Sequence, residues 1–238
     1  MDLGSIPFVD IAAPVALAVG GLVAAWAIQR RLDHNRTEAL RTEAQRLGLN
    51  FEDADWTDRH RAPVLKTALF ARGHSAKFKN IMTGSRDGLK ISILDYSFTE
   101  GSGRSTRNYR QTVGAFSKAC AYLPSFEMRP SGTADKIWES LAHKNMHFGS
   151  NPEFSRRYVL RGALDDKVRL LFAPSLLAFL EGLDPQKKWH IEGAGDTLIL
   201  YRDAKRTPPA ELRMFVEDTS ALASGFFGLV SPALMRDL

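Results

Sequence analysis

The sequence predicts an α+β protein, with one N-terminal transmembrane helix followed by a domain of antiparallel sheet and packed helices. Three patterns carry this prediction. Ile11–Ile28 is a run of eighteen residues without a charged or polar side chain. Lys90–Thr99 alternates apolar residues in the manner of a strand. Leu212–Val230 repeats apolar residues at the 3–4 spacing of a helix with one buried face.

The apolar run Ile11–Ile28 is long enough to cross a bilayer as a helix. At about 1.5 Å per residue it extends roughly 27 Å, close to the thickness of the hydrocarbon core. A cleaved signal peptide would have basic residues before a shorter run, whereas no Lys or Arg precedes Arg30. A buried core helix would show a polar side. A membrane span therefore fits better than either alternative.

The charges beside the span predict its orientation. Asp2 and Asp10 precede it, and arginines beginning at Arg30 follow it within about twenty residues. Positive charge remains on the cytoplasmic side of a membrane, so the amino terminus is predicted outside and the domain in the cytosol. The residues predicted to anchor the span are Ile11, Gly20, Trp26, Ile28, Arg30 and Arg31.

Small residues repeat at every fourth position of the span. They are Ala12, Ala16, Gly20 and Ala24. Such a stripe lets a second helix approach closely, although a short alanine-rich span also produces one by chance. The predicted partners are membrane lipid and, through this stripe, another membrane protein or a second copy of the chain.

The chain is predicted to have five segments. Residues 1–10 form a short extracytoplasmic end, 11–28 the span, and 29–58 a charged juxtamembrane helix and linker. Residues 59–143 form a first α+β lobe, and 144–238 a second lobe with a C-terminal helix. Whether the two lobes make one domain or two is left open by the sequence.

The first lobe and the segment before it are predicted from local signals. Thr37–Gly48 is a charged helix, with Leu40, Ala44 and Leu47 as its apolar stripe. Pro63 opens a helix that ends at Gly73. Four strands follow as an antiparallel meander. They are Phe78–Met82, Lys90–Thr99, Arg107–Phe116 and Ser125–Arg129, and a helix then begins at Thr133.

The second lobe repeats this mixture of elements. Phe154–Leu160 is predicted as a strand, and Asp165 opens a helix that runs to Phe172. Pro174 opens the next helix, which ends at Gly182. The remaining elements are a hairpin of Lys188–Glu192 with Thr197–Arg202 and a final helix after Pro208-Pro209.

Several strings resemble a family of uncharacterised bacterial single-pass membrane-anchored proteins. They include ILDYSFTEGSGR, YRQTVGAF, LPSFEMRP, NPEFSRRYVLRG, VRLLF and IEGAGDTLILYRD. The resemblance covers most of the chain after the span. It implies a bacterial inner (cytoplasmic) membrane setting, and it implies no activity and no site residues.

One cluster of residues could hold a metal ion. Asp135, Glu139 and His143 are spaced by four on the helix that begins at Thr133, so they share one helix face. Carboxylates and imidazoles in this arrangement can bind a divalent metal or share a proton. The HExxH motif of zinc proteases is absent, and a solvated helix face explains the same spacing.

Other chemical signals are weaker. The formal net charge of +5 suits either nucleic acid or an anionic membrane leaflet. In the basic runs Arg104–Arg110 and Ser155–Arg161, strand alternation would divide the cations between the two faces, with Arg157 and Arg161 on one and Arg156 and Tyr158 on the other, which argues against nucleic acid. No P-loop and no GxSxG motif occurs, so no cofactor is predicted. The single cysteine, Cys120, excludes an intrachain disulfide and is expected to be packed.

These observations predict a membrane-anchored cytosolic binding or interaction module. The absence of a recognisable catalytic motif favours a role other than catalysis. Two alternatives remain: a membrane-tethered enzyme, metal-dependent through Asp135, Glu139 and His143, and a protein that binds anionic lipid head groups.

Overall fold

A computed structural model gives the structure of the protein and describes residues 9–53, 67–132 and 145–230. It confirms the α+β class: a long N-terminal helix precedes a large antiparallel sheet with packed helices. The strands are β1 Asn50–Glu52, β2 His74–Arg86, β3 Leu89–Glu100, β4 Arg107–Lys118, β5 Leu123–Pro130, β6 Tyr158–Gly162, β7 His190–Gly195 and β8 Thr197–Tyr201. The helices are α1 Val9–Arg46, α2 Pro152–Arg157, α3 Asp165–Leu171, α4 Pro174–Glu181 and α5 Leu212–Leu229.

All eight strands form one antiparallel sheet in the order β1-β2-β3-β4-β8-β7-β5-β6. The β7–β8 hairpin lies between β4 and β5, which are neighbours in the chain. Strands from both predicted lobes therefore share one sheet. The lobe boundary at residues 143 and 144 lies outside the described residues.

An apolar core lies on each face of the sheet. On the helical face, which α2–α5 and the end of α1 cover, Ile91 and Ile93 join the larger core. On the opposite face, Leu94, Tyr96 and Phe98 pack in a second core under the 3-10 turn Ala68–Ala71. The alternation predicted for this strand is therefore confirmed. Apolar residues on both faces are what a strand buried on both sides requires.

Helix α1 is unbroken from Val9 to Arg46. Its 38 residues extend about 57 Å, so the predicted span and the predicted charged helix are one rod. Between Val15 and Arg46 it is long and apolar enough to cross a membrane by length and composition. Leu40 and Ala44 of the predicted stripe are buried in the larger core, and Leu47 packs against it.

The predicted strand Phe154–Leu160 is wrong in its first half. Residues Pro152–Arg157 form α2, and the strand begins at Tyr158. Pro152 suits the first turn of a helix, and Glu153 pairs with Arg156 one turn later. The apolar residues at 154 and 158 are four apart, which fits either period, so the first-turn proline and this pair favour the helix.

Two further expectations have a different outcome. The predicted helix Pro63–Gly73 lies partly outside the described residues, and its described end is the 3-10 turn Ala68–Ala71. Cys120 is exposed and not packed. It lies in the turn between β4 and β5 with a left-handed φ of 63°.

Candidate functional site

The end of α1 is bound to the sheet by a buried ion pair. Arg36 donates from Nε and Nη2 to the two carboxylate oxygens of Asp95, each at 2.8 Å. Its Nη1 also donates to the carbonyl oxygen of Thr207, at 2.9 Å. The two side chains are only 13% and 9% exposed. A planar guanidinium suits this two-point contact, which fixes both the position and the rotation of the helix.

Asp95 also receives hydrogen bonds from the sheet itself. Asn80 Nδ2 donates to it at 2.8 Å and Thr112 Oγ1 at 3.0 Å. Asn80 lies at an irregularity of β2 with a φ of 51°, a conformation that asparagine tolerates better than most residues. Its amide oxygen accepts from Thr37 of α1 at 2.8 Å. Two successive helix residues are thus held by one polar network.

A cleft opens beside this network, where the helical face of β2–β4 continues beyond α1. It has a volume of about 260 Å³. Its cations are Lys77, Lys79, Arg110 and Arg206, and its acids are Asp33 and Asp95. Asp95 is already occupied by Arg36, so positive charge exceeds negative charge in the cleft.

The register of the sheet arranges the floor of the cleft. Ser97 of β3 lies opposite Lys77 on β2 and opposite Arg110 on β4. In the next row, Lys79 lies opposite Asp95. Opposing Cβ atoms in an antiparallel sheet are about 4.5–5.5 Å apart, so these side chains emerge as neighbours on one face. The cations of the floor therefore act on the same small volume.

Arg206 forms one wall of the cleft, and the neighbouring charges affect its pKa. Its guanidinium lies 3.7 Å from Asp33 and 3.7 Å from Asp95. Burial is the main cause of a lowered pKa for Arg206; Asp95 and Asp33 oppose this change, whereas Arg36 and Arg110 add to it. An anion bound between these cations would relieve their mutual repulsion.

A second unusual group is a buried carboxyl on the opposite face of the sheet. Glu192 of β7 has no exposed surface, and burial raises its pKa to about 7. Its oxygens accept from the Tyr201 hydroxyl at 2.7 Å and the Leu69 backbone N–H at 2.8 Å. Both contacts join parts of the core, so Glu192 holds the 3-10 turn Ala68–Ala71 on the sheet.

The predicted metal residues Asp135, Glu139 and His143 lie outside the described residues. Within residues 9–53, 67–132 and 145–230, no group of three or more His, Cys, Asp or Glu residues could hold a metal ion. In the predicted anchor, Gly20, Trp26, Ile28, Arg30 and Arg31 are exposed along α1, whereas nothing is described of the Ile11 side chain. A Cβ added at Gly20 would meet no atom within 4 Å, which leaves the small-residue stripe open there.

The cleft residues were not among the predicted site residues. A signal for them does exist in the strands, because positions on the helical face change from apolar to polar along each one. In β3 the change runs from Ile91 and Ile93 to Asp95, Ser97 and Thr99. A strand that leaves a helical cover must become polar on that face, so this change marks where the cover ends.

No protein-family model and no curated protein sequence matches the chain. Among solved structures, the chain is similar to the crystal structure of the mycobacterial trehalose monomycolate transport factor A, TtfA. The TM-score is 0.52 at 12% sequence identity, and the match covers 84% of this chain and 94% of that chain. At this identity the similarity shows a shared fold.

Proposed function

We propose that the protein is a single-pass membrane-anchored binding module of the bacterial inner membrane, with its domain in the cytosol. One observation carries the proposal: α1 is one continuous helix whose apolar first part is exposed and whose last part is packed against the sheet. Its apolar part is exposed, with Leu17 at 78% and Leu22 at 72%, whereas Leu40 near its other end is 1% exposed. Exposed apolar residues of this number need a partner, and lipid suits a rod of this length.

The absence of a flexible linker in α1 supports a more specific role. The helix continues from Ile28 to the Arg36–Asp95 pair without a break, so the membrane would determine how the domain is oriented. Such an arrangement suits a module that presents a fixed surface to lipid or to a membrane partner. The similar solved structure is that of a transport factor, which agrees with a binding role.

Membrane fractionation tests the anchor. We expect the full-length chain to stay in the membrane pellet after carbonate washing. Leu22→Arg puts a charge into the span, where it is costly, and is expected to move most of the protein to the soluble fraction. The matched control is Leu170→Arg, because Leu170 is a leucine of the domain surface that is 60% exposed. Release of the unaltered chain by carbonate would contradict the proposal.

Protease protection tests the orientation. A protease added to intact spheroplasts is expected to leave the domain uncut, and to digest it after the membrane is opened. Digestion in intact spheroplasts would place the domain on the other side of the membrane and contradict the cytosolic assignment.

A further inference from the structure

The geometry points to the cleft between α1 and β2–β4 as a binding site for a phosphate-bearing anion, presented by the head group of an anionic lipid. This inference rests on the proposed function, because the anchor is what would bring the cleft to the membrane surface. The ligand chemistry follows from the floor of the cleft, where Lys77 and Arg110 flank Ser97. Two cations beside a hydroxyl form the kind of donor set that binds phosphate oxygens.

The cations of the cleft floor form no ion pair within the described part of the chain. The structure gives Lys77, Lys79 and Arg110 no ion pair with a described residue. By contrast, Arg36 is fully engaged with Asp95 and Thr207. Gathering unpaired cations on one face is electrostatically unfavourable without a counter-ion, so the arrangement favours an anionic ligand.

The size of the cleft limits what it can take. Its volume of about 260 Å³ lies just below the range of pockets that enclose small organic ligands, roughly 300–1,000 Å³. The polar residues Ser97, Thr99 and Asn108 contribute to its lining. A small polar group fits this volume and lining, whereas acyl chains would have to remain outside, in the membrane.

The path of α1 across the sheet places the cleft on the membrane side of the domain. Leu49, just after α1, lies against Gly84 of β2, whereas Thr37 bonds to Asn80 of the same strand. Helix α1, followed back from Leu49 toward the predicted span, therefore runs in the same direction as β2 followed back from Gly84 toward Lys79 and Lys77. Asp33, at the cleft, is only about 8 Å along the helix from Ile28.

The test measures binding to the full-length protein in neutral detergent by calorimetry. The probes are a short-chain phosphatidylglycerol, a short-chain phosphatidylcholine and inorganic phosphate. We expect phosphatidylglycerol to bind, and Lys77→Gln with Lys79→Gln to weaken this binding by about tenfold or more, the effect of losing two charge-assisted contacts. Both lysines are exposed, so the variant is expected to fold, which its unfolding midpoint verifies.

The matched control also removes two positive charges, but from the other end of the β2–β3 hairpin. Arg86→Gln with Lys90→Gln changes two exposed cations at the far end of β2 and β3, and is expected to leave binding within about twofold. Equal losses in both double variants, or no binding of phosphatidylglycerol by the unaltered chain, would overturn the inference. Equal binding of phosphatidylcholine would overturn it too, because that head group has no net charge.

Inorganic phosphate separates the two sources of the ligand. Failure of inorganic phosphate to compete supports a lipid head group, whereas competition at equal affinity overturns the lipid assignment in favour of a free phosphate ester. Lipid binding by the cleft can be tested independently of the anchor. The cleft variants are expected to remain in the membrane pellet, and the Leu22→Arg chain is expected to bind the probe in detergent. Failure of the site and failure of the anchor are thus distinguishable.

Discussion

Replacing Asp95 with alanine is expected to lower the free energy of unfolding by about 3–5 kcal/mol, because it leaves the buried Arg36 guanidinium without its counter-ion. Asp95 accepts four hydrogen bonds, two from Arg36 and one each from Asn80 and Thr112. The loss therefore extends to polar groups of the sheet, which become unsatisfied in the core. Chemical denaturation of the full-length chain in neutral detergent measures the effect.

The same variant should release α1 from the sheet. We expect trypsin to cut faster after Arg41, which follows the Arg36–Asp95 pair in α1, because local opening exposes that part of the helix. The control is Asp166→Ala, which removes an exposed carboxylate from α3 and should change stability by less than about 0.5 kcal/mol. A loss in Asp95→Ala no larger than in this control would contradict the role of the pair.

A double-mutant cycle separates the ion pair from general damage. Arg36→Ala alone should also destabilise the chain, but by less, since Arg206 still lies 3.7 Å from the buried Asp95. The combined variant should lose less than the sum of the two single losses, because neither charge is then stranded. Additive losses would mean that the two residues act independently.

Replacing Glu192 with glutamine is expected to remove a pH dependence from the stability of the domain. The pKa of Glu192 is about 7 in the folded chain, against an ordinary value of 4.5. Burial is the main cause; the hydrogen bonds from Tyr201 and Leu69 and the charge of Arg72 oppose it, and Glu127 adds to it. Below pH 4.5 the carboxyl is neutral in both states, and its contribution to stability is fully present.

As the pH rises from 4.5 to 7, the unfolded chain loses this proton before the folded chain does. Stability from Glu192 therefore falls over that range, by up to about 3 kcal/mol. In Glu192→Gln the amide oxygen can accept from the Leu69 N–H while the amide nitrogen donates to the Tyr201 hydroxyl oxygen. The difference in unfolding free energy between the variant and the unaltered chain should therefore grow in favour of the variant as the pH rises.

Denaturation at a series of pH values between 4.5 and 7 measures this difference. Glu217→Gln is the control, because Glu217 is exposed on α5 and its charge remains in water in both states. Parallel pH profiles for the unaltered chain and Glu192→Gln would show that Glu192 does not titrate in this range and would contradict the prediction.

Local patterns were sufficient for most elements of the fold. The alternation of Ile91 and Ile93 with Leu94, Tyr96 and Phe98 predicted a strand with two buried faces, and both cores contain these residues. The helical spacing after Pro208 predicted α5. Such patterns work because the period of the apolar side chains must match the period of the backbone that buries them. Near Phe154 the apolar positions fit both periods, and there the prediction failed.

The apolar run Ile11–Ile28, the polar ends of the strands and the acid at position 95 can be read from the sequence, because each is a local feature of a few neighbouring residues. The partner of that acid, the insertion of β7 and β8 between β4 and β5, and the meeting of Lys77 with Arg110 depend on the folded chain. Arg36 and Asp95 are 59 residues apart. Contacts at such separations are selected by the packing of whole faces, which no local pattern encodes.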